Sequence, residues 1–288
     1  MTMMKKSMAL AAASIALLAA TQAQAQFAYT QGDLMLNFRE VNGAAQGAFN
    51  VTLNLGNAAT FASANASSVL QINQFESSWL TGATASGNAG FGDLNNVRWS
   101  STASLAAAGQ GADNNHIWAS RARTSNLSND GSTAGVAGST AWLRRSESQQ
   151  GPAGQRIHSV GVGANSIGAD FGVDATRTDS SQASSYLGQA GTTGAYNVGG
   201  ATVFFGSNST EANTGTLTGS SFLDLYDSAF GSGNSTYLGY FELQADGDLF
   251  FYGAQYSSVI PEPTTYAMLS GLGLLALALR RNFRKTNA

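Results

Sequence analysis

The 288-residue chain contains no cysteine, and its three lysines lie within the first six and the last four residues. Without cysteine, the protein can form neither a disulfide nor a thiolate nucleophile. Between residues 26 and 259 the cations are eight arginines, against sixteen acidic residues, so this part carries a net charge of about −8. Nucleic acids and anionic membrane surfaces are bound through basic patches. The composition therefore argues against both, and we expect no nucleic-acid partner.

Histidine is also scarce, since the chain has only His116 and His158. The stretch Asp113-Asn114-Asn115-His116 offers no second metal ligand at a sensible spacing and is typical of a turn that precedes a strand. A nucleophile elbow of the Gly-x-Ser-x-Gly type is missing. Gly161-Val162-Gly163 lacks the third glycine of a dinucleotide-binding loop. We therefore expect no catalytic, cofactor-binding or metal-binding residue, and a protein that is not an enzyme.

The carboxylates leave two alternatives open. A glycoside hydrolase needs two carboxylates about 5 to 10 Å apart, but Asp224 and Asp227 would point to opposite faces of a predicted strand. Asp170, Asp174 and Asp179 could ligate calcium, although their spacing does not fit an EF-hand loop. A secreted hydrolase and a bound calcium ion therefore remain alternatives to the main reading.

The N-terminus has the layout of a secretory signal peptide. Lys5 and Lys6 precede an apolar run over residues 8–20, and Ala23-Gln24-Ala25 supplies small residues at a cleavage site. We predict that residues 1–25 are removed on export and that Gln26 begins the mature chain.

The C-terminus carries a second topogenic pattern. Residues 264–279 contain no charge and would form a helix of about 24 Å, shorter than a hydrocarbon core of about 30 Å. Such a helix can span by local thinning of the bilayer, with Arg280 and Arg281 reaching the interface. Pro261-Glu262-Pro263 precedes it as an extended stretch, because proline fixes φ and disfavours helix before it. We predict a single transmembrane helix with its basic end in the cytoplasm.

This order of elements resembles the PEP-CTERM sorting signal of Gram-negative surface proteins. In that family a Pro-Glu-Pro elbow, a short apolar helix and a basic end form a temporary address for the membrane enzyme exosortase. The resemblance implies sorting of the chain by exosortase, with residues 260–288 as the signal. Pro261, Glu262, Pro263, Arg280 and Arg281 are the residues that carry it.

The stretch between the two ends, residues 26–259, has strand-like periodicity. Residues 49–55 alternate between apolar and polar side chains, which predicts that Leu53 faces a core and Asn54 faces water. Residues 33–55 are predicted to form a hairpin, and Asp246-Gly247 predicts a second one between two apolar runs. The other strand candidates are residues 97–100, 116–123, 201–205 and 222–226.

Helices are the minority in this exported part. We predict helices over residues 67–80 and 140–150, the second halted by Gly151-Pro152, and a further short helix over 180–187. The expected fold is mainly β: an antiparallel β-sandwich, jelly-roll-like, with one or two helices at its margin.

Parts of this domain also resemble PEP-CTERM proteins, around residues 29–39, 51–56 and 237–243. That family brings no catalytic residues to transfer. The resemblance implies a non-enzymatic protein of the cell surface or extracellular matrix, in a setting of exopolysaccharide or biofilm. The alternative is a carbohydrate-binding module, which aromatic side chains clustered on one exposed sheet face would favour. Trp79, Trp99, Trp118 and Trp142 are expected in the core rather than in such a cluster.

Overall fold

The structure is a computed structural model that describes residues 27–42, 45–63, 68–73, 75, 80, 91, 94–105, 116–123, 137–167, 174–196, 204–206, 208–214 and 220–255. The strands in these residues are β1 (Asp33–Asn42), β2 (Ala45–Asn57), β3 (Val69–Gln71), β4 (Val97–Ser104), β5 (His116–Ala122), β6 (Ala175–Asp179), β7 (Ala212–Asn213), β8 (Ser221–Ala229), β9 (Thr236–Leu243) and β10 (Leu249–Gly253). The helices are α1 (Ala58–Ser63), α2 (Glu147–Ile167) and α3 (Tyr186–Ala190), and a 3-10 turn covers Leu94–Asn96.

The described strands form one antiparallel sheet in the order β3-β10-β9-β8-β5-β4-β1-β2-β6, with β7 beside β4. The predicted mainly β, antiparallel class is confirmed. The two stacked sheets of the predicted sandwich are not found among the described strands. Phe251 of β10 and Leu53 of β2, near opposite ends of the strand order, belong to the same buried apolar cluster. The sheet therefore curls around a core that a second sheet would cover in a sandwich.

Both predicted hairpins are confirmed. β1 pairs with β2, with Leu36 opposite Leu53 and both side chains fully buried. β9 pairs with β10 across a tight turn in which Gly247 has φ +94°, a left-handed conformation that favours glycine. The strand candidates at residues 97–100, 116–123 and 222–226 correspond to β4, β5 and β8.

A second layer covers the other face of the sheet. Helices α2 and α3 pack there on β1, β2, β4, β5 and β6, and Met35, Ile117, Ile157 and Tyr186 belong to the apolar cluster beneath them. The polar residues of the alternating segment are therefore buried: Asn50 and Thr52 are at most 1% exposed. The prediction that Asn54 faces water is wrong, since it is only 7% exposed and its amide donates to the carbonyl of Ala28 and to Asp33.

The helix predicted over residues 140–150 is also wrong in its bounds. Helix α2 begins at Glu147 and continues through Gly151-Pro152 as far as Ile167. Pro152 lies only six residues into the helix and removes a single backbone donor, so a 21-residue helix tolerates it. Glycine within this helix allows close packing, because a Cβ at Gly163 would lie 2.5 Å from the side chain of Ser184.

Three further segments depart from the prediction. Val69–Gln71, within the helix predicted over 67–80, is strand β3, which pairs with β10 and sets Leu70 opposite Phe251. Phe204 and Phe205 form a turn instead of a strand. Residues 180–185 are turns, and α3 begins only at Tyr186.

The predicted signal peptide, residues 1–25, and sorting signal, residues 260–288, lie outside the described residues. In the described part of the chain, no helix combines the length and the apolar character required to cross a bilayer. The predicted transmembrane helix over 264–279 is among the residues that are not described.

Candidate functional site

One side of strands β8, β9 and β10 carries four aromatic residues, which we call the aromatic face: Phe222, Tyr240, Phe250 and Tyr252. The strand register sets Tyr240 opposite Tyr252 and Phe250 opposite Glu242, so these residues share one side of the sheet. The alternate residues Leu223, Phe241 and Phe251 fill the core on the opposite side. All four aromatic side chains are half-buried. The sheet thus keeps a partly accessible aromatic surface beyond the area that the helices cover.

Neighbouring rings of the aromatic face contact one another across the strands. Tyr240 and Tyr252 are stacked, with centroids 4.7 Å apart and planes 13° apart. Phe222 lies 6.2 Å from Tyr240, and Phe250 lies 6.2 Å from Tyr252. These spacings are within the range of favourable aromatic contact. The result is a continuous band of rings across three strands.

Arg123, just beyond β5, supplies a positive charge to this band. Its guanidinium carbon lies 3.8 Å from the ring centroid of Tyr240 and 5.6 Å from that of Phe222. Cation–π contacts of this kind hold both partners in a defined orientation. The Nε of Arg123 donates to Oδ1 of Asp224 at 2.8 Å. The ion pair therefore anchors the arginine above the rings.

The Asp224 side chain is fully buried beneath this arginine. Ser139 donates to its second oxygen at 2.8 Å. Burial raises the pKa of Asp224 above its ordinary value, although Arg123 and Ser139 counteract the shift. Burial likewise raises the pKa of Tyr226, which contacts the same serine, to about 12. Both oxygens of the carboxylate have donors, so Asp224 positions Arg123 and Ser139.

A second polar cluster lies between the sheet and the helices. Glu211 receives two hydrogen bonds from Arg39, at 2.5 and 2.6 Å, and one from the hydroxyl of Tyr186 at 2.7 Å. Arg39 and Glu211 have side chains at most 1% exposed. Burial alone lowers the pKa of Arg39, but the hydrogen bond and charge of Glu211 raise it above its ordinary value. This buried ion pair connects strand β1 to the residue before β7, and the hydroxyl of Tyr186 adds α3 to the cluster.

A cleft of about 310 Å³ lies on the same side of the sheet, next to the segment that precedes α2. Its lining includes Arg121, Trp142, Arg145, Gln149, Phe205 and Asn208. Arg121 lies 4.5 Å above the ring of Trp142 and donates to the carbonyl of Thr140 at 2.8 Å. We refer to it as the Trp142 cleft.

The two histidines do not meet. His116 stacks on Trp118 and bonds Asp227 through Nδ1 at 2.7 Å, and this hydrogen bond raises its pKa despite partial burial. His158 lies on α2, where its Nδ1 is 3.1 Å from the hydroxyl of Tyr29 and burial lowers its pKa. The two histidines have different hydrogen-bond partners, Asp227 and Tyr29, and the structure brings neither histidine to the aromatic face.

The carboxylates of the two alternative readings are also separated. Asp224 pairs with Arg123 and Asp227 with His116, and the register with β5 puts the two acids on opposite sides of β8, as the sequence predicts. Asp179 accepts from the backbone of Ser181, and Asp170 is outside the described residues. Among the described residues, no group of three or more potential metal ligands is found.

The predicted core tryptophans are confirmed where they are described, since Trp99, Trp118 and Trp142 are at most 4% exposed. Trp79 lies outside the described residues, as do the sorting residues Pro261, Glu262, Pro263, Arg280 and Arg281 and the cleavage-site residues Ala23 and Ala25.

Sequence reasoning missed the aromatic face, although a signal for it exists. The run from Leu249 to Tyr252 is apolar at every position, so alternation does not show which residues face outward. The Asp246-Gly247 turn fixes the pairing of this run with β9. Placing Tyr240 opposite Tyr252 from that turn would have predicted an aromatic pair outside the core.

The fold and this face define a mainly β protein with a partly exposed band of aromatic side chains on one curled sheet. Comparison with family models adds its destination: residues 259–285 match the PEP-CTERM protein-sorting motif. The chain is therefore an exported surface protein that carries this motif and is sorted through exosortase. The comparisons with curated proteins and with solved structures find no match.

Proposed function

We propose that the exported domain, residues 26–259, is a non-enzymatic matrix protein that holds exopolysaccharide at the cell surface. The observation that carries the proposal is the aromatic face, with Tyr240 and Tyr252 stacked 4.7 Å apart and half-buried. Sugar rings present apolar C–H faces, which pack on flat aromatic side chains whose polar edges stay in contact with water. The lysine-free, acidic composition keeps such a protein hydrated.

The polar groups beside the rings suit the hydroxyl groups of a sugar. The guanidinium of Arg123 lies above Tyr240, and Glu242, directly opposite Phe222 and Phe250 on the same side, accepts a hydrogen bond from Ser220 at 2.7 Å. A few polar groups placed around an apolar surface are the usual pattern of a small-molecule or sugar site. The matrix protein would thus hold polysaccharide by acting as the carbohydrate-binding module that the sequence analysis gives as the alternative.

The proposed route to the surface uses both ends of the chain. The signal peptide directs export, and cleavage after Ala25 leaves the domain outside the cytoplasm. The helix over residues 264–279 then holds an intermediate in the inner membrane until exosortase acts near Pro261-Glu262-Pro263. The motif match at residues 259–285 supports this order of events.

The test is binding and cleavage on a polysaccharide array, with the full-length chain purified in mild detergent. Phe250→Ala and Tyr252→Ala should each weaken polysaccharide binding about fivefold or more, the loss of about 1 kcal/mol expected for a central contact. Phe230→Ala is the matched control, because Phe230 is also half-buried but follows β8 outside the aromatic face. Release of shorter sugars would contradict the non-enzymatic role, and binding unaffected by Tyr252→Ala would contradict the proposed site.

A further inference from the structure

The Trp142 cleft combines features that the aromatic face does not have. Its walls include the rings of Trp142, Phe204 and Phe205, and the amides of Gln149 and Asn208 also line it. A volume of about 310 Å³ is at the lower end of the range for small-molecule sites. The cleft therefore has room for a single sugar ring.

The charge of the cleft is opposite to that of the domain. Arg121 and Arg145 line it, and none of the described residues that line it is an aspartate or glutamate. Among the described residues, no carboxylate lies within salt-bridge distance of either arginine, whereas Arg39 and Arg123 both have one. Two guanidinium groups at one cleft in a net acidic domain are unusual. They favour an anion, and planar guanidinium groups suit a carboxylate in particular.

The cleft also contains a buried donor that lacks an acceptor. The indole nitrogen of Trp142 is inaccessible to solvent and has no hydrogen-bond partner among the described residues, while the side chain is 3% exposed. Buried polar groups are satisfied in the large majority of cases. The other arginine of this segment, Arg144, is satisfied by the carbonyls of Ala229 and Phe230. Several other buried side-chain atoms of the described residues also lack a partner, but the indole nitrogen of Trp142 is the one that belongs to a residue lining the cleft.

From this geometry we propose that the Trp142 cleft binds a carboxylate-bearing sugar, the uronic acid unit of an acidic polysaccharide. The guanidinium groups of Arg121 and Arg145 bind the carboxylate, and the aromatic walls contact the ring. The cleft lies close to the aromatic face, because Arg121 and Arg123 are two residues apart, or about 7 Å along an extended chain, and point to the same side of the sheet. This inference deepens the proposed function and rests on it for the source of the sugar.

The test is a titration of the full-length chain in mild detergent with D-glucuronate, followed by NMR. D-glucuronate should bind, and methyl glucoside, which is neutral, should not. Arg121→Gln and Arg145→Gln should each weaken glucuronate binding about tenfold, as expected for loss of a charge-assisted hydrogen bond. Arg98→Gln is the matched control, since Arg98 is an exposed arginine of β4 that does not line the cleft, and it should leave the affinity unchanged.

Other outcomes separate this inference from the proposed function. Inorganic phosphate or acetate that binds as tightly as glucuronate would overturn the sugar assignment, because the cleft would then recognise only an anion. Absence of glucuronate binding, or an equal loss in Arg98→Gln, would overturn the site altogether. Tyr252→Ala should weaken polysaccharide binding and leave glucuronate affinity unchanged. If glucuronate does not bind at the cleft, the proposal for the aromatic face still stands. If Tyr252→Ala does not weaken polysaccharide binding, the proposal for the cleft still has its own test.

Discussion

Asn54 shows how one polar side chain connects three parts of the chain. Its Nδ2 donates to the carbonyl of Ala28 and, at 2.9 Å, to Oδ2 of Asp33, while its Oδ1 accepts from the backbone of Gly56 at 2.8 Å. These bonds link the segment before β1 to the end of β2. A buried amide with every partner in place restrains the backbone much more than a solvated one.

Replacing Asn54 by Asp should therefore destabilise the protein at neutral pH. The new carboxylate would lie next to that of Asp33. It would also lack the N–H groups that Asn54 donates to Ala28 and Asp33. The free energy of unfolding should fall by about 1 to 3 kcal/mol. Repulsion between two carboxylates raises the pKa of the pair in the folded state. Stability should thus recover as pH falls towards 4, which urea unfolding at pH 7 and pH 4 would measure.

Leu53→Asp provides the comparison. Leu53 is fully buried in the apolar cluster around which the sheet curls. The substitution should therefore lower the free energy of unfolding by several kcal/mol and threaten folding. Equal unfolding curves for Asn54→Asp and the unsubstituted protein at pH 7 would instead mean that Asn54 faces water.

The close packing of helix α2 on its neighbours depends on two of its glycines. Gly161 and Gly163 are buried, and a Cβ at Gly161 would lie 2.5 Å from the ring of Tyr29. Glycine lowers intrinsic helix stability by about 1 kcal/mol relative to alanine, which is why the sequence does not predict a helix here. Close approach of α2 to α3 and to Tyr29 compensates for that cost. Packing thus decides the conformation of this element against its local preference.

Gly163→Ala should destabilise the protein, although alanine is the better helix former. The added Cβ would lie 2.5 Å from the side chain and 2.7 Å from the backbone oxygen of Ser184, so α3 must shift. Overpacking of this kind costs about 1 to 3 kcal/mol, which chemical denaturation would detect. Gly151→Ala is the control, because its Cβ would meet no atom within 4 Å beyond its chain neighbours. It should change stability by less than about 1 kcal/mol, and an equal loss in both variants would show that the contact with Ser184 is not the cause.

The whole molecule combines a linear sorting motif with a folded domain. The C-terminal part of the chain carries the sorting motif, matched over residues 259–285, and the middle carries a folded domain with the aromatic face. The motif is read from linear sequence by sorting enzymes. The domain, in contrast, acts only when its strands are paired.

Changing the elbow should therefore alter location and leave the fold intact. With Pro261→Ala and Glu262→Ala combined, we expect unprocessed precursor to accumulate in the inner membrane, because the apolar run and the basic end are unchanged. The unsubstituted mature protein should begin at Gln26 and lack residues 280–288, which an intact mass would show. Fractionation measures the location of the variant. Retention of residues 280–288 on the mature protein, with identical fractionation of the variant, would reduce the tail to an ordinary anchor.

Local sequence by itself determined the C-terminal sorting motif, the mainly β class and the two hairpins, although it missed strand β3 and predicted a strand where Phe204 and Phe205 form a turn. The Pro-Glu-Pro elbow and the Asp246-Gly247 turn depend on residues that are adjacent in the chain, so their physics is present before folding. The confirmed mainly β class follows from the same local alternation. The sequence could not predict that the residues of the candidate site come together, because Arg123, just beyond β5, and Tyr240 of β9 are far apart in the chain.

The tertiary structure alone decided which faces are buried and which remain accessible. Asn50 alternates as a surface residue does, yet it is fully buried on the face that the helical layer covers, and that layer depends on glycines that disfavour helix locally. Tyr252 has the pattern of a core residue, yet it lies beyond the area that α2 and α3 cover. Whether a side chain is buried depends on what packs on its face of the sheet. The periodicity within a strand does not show which elements pack there.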